Sequence, residues 1–93
     1  MSAFPRELDG ASVLWSAIAI PGQQGHDRET GQPVSICEYA VAQYAGDEPR
    51  AYLFAVSSNR NVVGDTLWDS PEEAKQAAVD SGFVRDEDWK RKV

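Results

Sequence analysis

The chain has 93 residues, an apolar share of 42% with three Trp, three Tyr and three Phe, and a formal charge of −6. That length holds one hydrophobic core and no second domain, and that apolar content argues against disorder. A pI near 4.6 argues against direct binding to nucleic acid or an anionic membrane, which needs clustered cations, and favours a basic protein partner.

Residues 1–10, with Pro5 and Gly10 as breakers, read as a flexible N-terminal arm ahead of a single domain over 11–93. Ala11 to Ile20 is rich in β-branched and aromatic residues and ends at Pro21-Gly22, which predicts a first strand. The apolar run from Val13 to Ile20 is far short of the ~20 residues of a membrane span. Glu7 and Asp9 stand where a signal peptide carries bases, so secretion is not expected. Cys37 is the single cysteine; with no disulfide to form, a reducing, cytoplasmic location is expected.

Residues 21–33 hold Gly22, Gly25, Gly31, Pro21 and Pro33 and predict a loop of about a dozen residues, long enough to be functional or mobile. Val34 to Ala45 is the longest strand candidate. A turn at 46–50 leads to a third strand, Ala51 to Ser57; Asn59-Arg60-Asn61 makes the next tight turn, and Val62 to Trp68 completes a fourth strand. Alternation places Cys37, Tyr39 and Val41 on one face, and Tyr52, Phe54 and Val56 on one face of the next strand. The opposite faces, with Ile36, Ala40, Tyr44, Leu53 and Ala55, are apolar as well. Either the sheet is covered on both sides, or its second face is a contact surface.

Ser70-Pro71-Glu72-Glu73 marks the start of the only long helix: a hydroxyl for the N-cap, proline at the first helical position, and glutamate at capping-box spacing. Ala74, Ala77, Ala78 and Ser81 form a small-residue face, and Gly82 ends the helix with Phe83 behind it. Asp86-Glu87-Asp88, Trp89 and Lys90-Arg91-Lys92 predict a short terminal helix with its charges set against the dipole. The expected fold is therefore α+β: a four-stranded antiparallel meander, one α-helix packed on one face and a short C-terminal helix.

Catalytic chemistry is sparse. His26 is the only histidine, beside Asp27 in the long loop, so an acid–base site there ranks third among the functional readings. No phosphate loop follows Gly22-Gln23-Gln24-Gly25-His26, and the spacing of Asp65, Asp69, Glu72 and Glu73 is not that of a calcium loop. No cofactor, metal or catalytic residue is expected. Trp15, Trp68 and Trp89 read as core and anchor residues.

One constellation stands out. Glu72, Glu73, Gln76 and Asp80 make an outward helical stripe with Val79 on its flank, preceded by Asp65 and Asp69. Residues 65–88 hold eight acids against Lys75 and Arg85. The first functional expectation is a non-enzymatic acidic binding protein, an inhibitor of the immunity or anti-defence type. It would use these seven residues to occupy the basic surface of a nuclease or nucleoprotein. The second is a structural or regulatory module that dimerises or joins a complex through an apolar sheet face.

Overall fold

The computed structural model describes residues 4–92, and its chain turns first at Asp9-Gly10. Both residues hold positive φ, 56° and 83°, as in a type I′ turn, whose twist matches that of the strands it joins. Leu8 thereby faces Ala11, and β1 (Glu7–Leu8) pairs with β2 (Ala11–Ile18). Of the stretch read from sequence as an arm, residues 1–3 lie outside the described residues, while Phe4 and Leu8 are buried.

Beyond β2 the chain forms β3 (Gln24–His26), which pairs with the start of β4 (Pro33–Gln43); the remainder of β4 pairs with β2. The expected loop at 21–33 is thus largely the end of a long hairpin. Its tip winds around the Asp27 carboxylate, which accepts the amides of Glu29 (2.8 Å) and Thr30 (3.0 Å). After β5 (Ala51–Ser57), the turn to β6 (Val62–Trp68) places positive φ (63°) on Arg60 rather than on a flanking Asn.

The sheet runs β1-β2-β4-β5-β6, antiparallel throughout. Its four long strands are those expected from sequence and pair as a meander, with β2 beside β4. The strand count is corrected from four to seven by the short β1, β3 and β7 (Lys90–Arg91). The C-terminal helix is also corrected, to a single 3₁₀ turn at Asp86–Asp88 followed by β7. So short a segment cannot sustain a helix alone, and β7 instead covers the β2 edge at Trp15 and Ser16, next to β1.

The helix α1 (Pro71–Asp80) is held at both ends. Ser70 is extended, and its Oγ accepts the Glu73 amide at 3.1 Å. At the other end Gly82 takes φ 76°, while the amides of Gly82 and Phe83 donate to the carbonyls of Val79 (3.0 Å) and Ala78 (2.9 Å). That pattern is a Schellman motif, which only a residue tolerant of positive φ permits at this site. Ala74 and Ala78 are fully buried, and their small side chains let the helix approach the strands closely.

Both sheet faces carry a core. Beneath α1 lie Ala17, Tyr39, Val41, Leu53 and Val84. On the other side Val13, Ala40, Phe54 and Val56 pack with Phe4 and Leu8. Val41 faces Leu53 and Ala40 faces Phe54, so Ile36, Tyr44 and Leu53 do not share one free face. Register shifts at Val13/Trp15, Ile36/Glu38 and Ala55/Val56 add the local twist that curls the sheet around the second core. Among the described residues no helix is long and apolar enough to cross a membrane.

Candidate binding groove between α1 and β6

A helix of ten residues cannot cover the whole sheet, and its cover runs out at β6, the edge strand. Gly64, Thr66 and Trp68 share the α1-side face of β6, opposite Ala55, Leu53 and Ala51. The Trp68 indole Nε1 donates to Thr66 Oγ1 at 2.8 Å, tying the ring to its own strand. A hollow of about 490 Å³ lies between Trp68 and the helix residues Glu73, Gln76, Ala77 and Asp80. A second, of about 280 Å³, opens farther along β6 over Ile36, Leu53 and Ala55. Its wall is made by Tyr39 and Phe83, whose rings stack with centroids 5.1 Å apart and planes 3° from parallel.

The seven residues singled out in the sequence divide between places. Glu73, Gln76 and Asp80 line the first hollow together, and Gln76 Nε2 donates to Asp80 Oδ1 at 2.8 Å. Asp69 is exposed immediately before the N-cap. Among the described residues Asp69, Glu73 and Asp80 have no cation within 4 Å. Glu72 turns to the other flank, where it pairs with Lys75 at 3.4 Å, and the Lys75 ammonium lies 3.5 Å over the Trp15 ring. The helical period explains the split, since positions 72, 75 and 79 lie on one side and 73, 76, 77 and 80 on the other. Val79 accordingly packs against the core under α1. Asp65 borders the second hollow, but its carboxylate alternates away from Thr66, to the far side of the sheet, and pairs with Arg28 at 3.2 Å.

His26 is exposed on β3, opposite Pro33. Its neighbour Asp27 is engaged by the Thr30 and Glu29 amides, which hold its carboxyl below the usual carboxylate range. Among the described residues no group of three or more His, Cys, Asp or Glu is placed to hold a metal ion.

The wall of the second hollow is braced by Gln23. Its amide donates to the carbonyls of Ile20 (2.7 Å) and Phe83 (2.9 Å) and accepts the Tyr39 hydroxyl at 2.6 Å. Burial pushes the Tyr39 phenol up to about 12. An unfolded tyrosine ionises near 10, roughly, so above that pH the unfolded chain loses a proton that the folded one keeps. Stability should therefore hold below pH ~10 and fall between ~10 and ~12. Denaturant titrations over that range should show the fall in the wild type and a smaller one in Tyr39→Phe. The remainder belongs partly to Tyr44, raised by burial and by Asp9. Equal slopes in the two proteins would contradict this assignment.

The aromatic half of the groove, Trp68, Tyr39 and Phe83, was not anticipated as a site. The available signal was the Thr66-x-Trp68 spacing, which sets two side chains on one strand face, but the exposure of that face follows from β6 being the sheet edge. Compared with known proteins, the chain matches no family model, no curated protein and no solved structure.

Proposed function

We propose that this domain is a non-enzymatic binding protein whose groove between α1 and β6 holds a cationic surface of a partner protein. The observation that carries the reading is the pairing of Glu73 and Asp80 with Trp68 and Ala77 around one hollow. An arginine or lysine of the partner fits such a place: its methylene stem lies along Trp68 and Ala77, and its charge reaches the carboxylates. A nuclease or nucleoprotein presents side chains of this kind where it handles phosphate, and a domain seated there acts as an inhibitor. The single thiol suits a reducing, cytoplasmic setting.

The test is capture from native cells with tagged wild type and with the double variant Glu73→Lys/Asp80→Lys, each washed at low and high salt. The captured partner should be basic and released by salt. Its affinity for the double variant at low salt should be about tenfold weaker, near 1.4 kcal/mol. Capture that is equal for both proteins and indifferent to salt would overturn the proposal. Circular dichroism of the variant checks that the fold is intact.

A further inference from the structure

We infer that β6 accepts an extended cationic segment of the partner as an additional antiparallel or parallel strand, with its side chains seated in the two hollows beside it. The inference deepens the proposed function and rests on the reading that the α1–β6 surface is where the partner binds. Three observations lead to it.

The two sheet edges are treated differently. The β2 edge is covered by β1 and β7, both supplied by the chain itself. Among the described residues β6 pairs only with β5; β3 and the hairpin tip lie against its first residues, with Gly25 beside Val63 and Arg28 paired with Asp65, which leaves alternate N–H and C=O groups from Gly64 to Trp68 turned outward. An uncovered edge of five residues is a template for another strand.

Side-chain contacts flank that edge on both faces. Leu67, 46% exposed, lies on the side away from α1, while Thr66 and Trp68 line the groove side. An added strand presents every second side chain to the groove, at a spacing of about 6.6 Å. A residue seated against Trp68 therefore leaves the one two or four positions along to enter the hollow walled by Tyr39 and Phe83.

Charge selects the occupant. The first hollow carries Glu73 and Asp80 and calls for arginine or lysine, whereas the second is floored by Ile36, Leu53 and Ala55 and calls for an apolar side chain. A second copy of this chain would bring a further −6 against the same carboxylates. The occupant is accordingly a β-prone peptide with a basic residue two or four positions from an apolar one. Its backbone pairing gives affinity, and the two seated side chains give selectivity.

The experiment uses the full chain, labelled with ¹⁵N, and a panel of capped synthetic nonapeptides. Threonine occupies alternate positions; arginine and leucine occupy the others, two or four residues apart and in either order. Control peptides replace arginine by glutamate or carry N-methyl groups along the pairing edge. At least one member of the panel should slow exchange of the outward-facing amides among residues 64–68 by about tenfold and shift the Trp68 indole resonance. Its glutamate counterpart should bind at least tenfold more weakly, the N-methylated one should give no protection, and Asp80→Lys should weaken binding about fivefold.

Peptides that shift residues 73–80 and leave exchange on β6 unchanged would overturn strand addition while leaving the acidic binding surface in place. A panel without any response would overturn strand addition as well, and the broader reading would then stand or fall by the capture experiment. Protection of β6 that grows with protein concentration in the absence of peptide would make a second copy the occupant and overturn the cationic assignment.

Discussion

Replacing Phe4 and Leu8 together by alanine should lower the free energy of unfolding by about 5 kcal/mol, since buried Phe→Ala and Leu→Ala changes each cost roughly 2–5 kcal/mol. Both side chains belong to the core on the face away from α1, with Val13, Phe54 and Val56. The Arg60 guanidinium also lies 4.8 Å over the Phe4 ring, so the substitution removes a cation–π contact along with apolar burial. A domain of this length has a total stability of roughly 5–14 kcal/mol, at about 0.05–0.15 kcal/mol per residue. The double variant should accordingly lose between about a third and all of its stability, which urea denaturation followed by tryptophan fluorescence will register. A loss below about 1 kcal/mol would mean that the N-terminal segment adds little to this core.

Gln23→Ala should cost about 2–3 kcal/mol, because net hydrogen-bond contributions near 1 kcal/mol combine with the penalty for a buried partner left unsatisfied. The Tyr39 hydroxyl loses its acceptor, and the Ile20 carbonyl loses the Gln23 donor. The Phe83 carbonyl keeps a second donor, the Ile20 amide at 2.8 Å, which limits the damage at that end. Gln23 reaches from the connection between β2 and β3 to β4 and to the chain just beyond α1, so its removal loosens elements that no single strand pairing joins. The effect should also reach binding. With Tyr39 and Phe83 less firmly held, peptides that use the second hollow should lose more affinity than peptides that use only the acidic one. A stability change within about 0.5 kcal/mol of zero would show that the three bonds are replaced by water at no cost.

The readable parts of the fold were those carried by local chemistry. Ser70-Pro71 and Gly82 bound α1 because capping is decided within a few residues, and alternating apolar residues mark β2, β4, β5 and β6. The Asp9-Gly10 turn was equally local. Flanked by Leu8 and Ala11 it is a strong hairpin signal, yet it reads as a mere breaker when the strand before it has only two residues. Other features depend on pairing across the chain. β3 exists because Pro33, Val34 and Ser35 lie opposite Gln24, Gly25 and His26, and β7 exists because β2 offers an edge.

Face assignment failed for a related reason. The β4–β5 register sets Val41 opposite Leu53 and Ala40 opposite Phe54, so Tyr39 and Val41 lie with Leu53, and the irregularity between Ile36 and Glu38 brings Ile36 to that same side. The candidate site divides in the same way. Glu73, Gln76 and Asp80 were legible from helical period, which also puts Glu72 beside Lys75, but the partner that occupies that flank, the Trp15 ring under Lys75, comes from a distant strand. The role of Trp68 waits on β6 being the last strand of the sheet, which alternation within β6 cannot reveal.

The most direct measurement is hydrogen exchange on this domain, free and bound to the partner that it captures. Slowed exchange should concentrate in residues 64–68 and 73–80, with the opposite edge formed by β1 and β7 unchanged. Protection centred instead on β1, β7 and the Trp15–Arg91 flank, with β6 and α1 unaffected, would contradict the α1–β6 groove as the binding site.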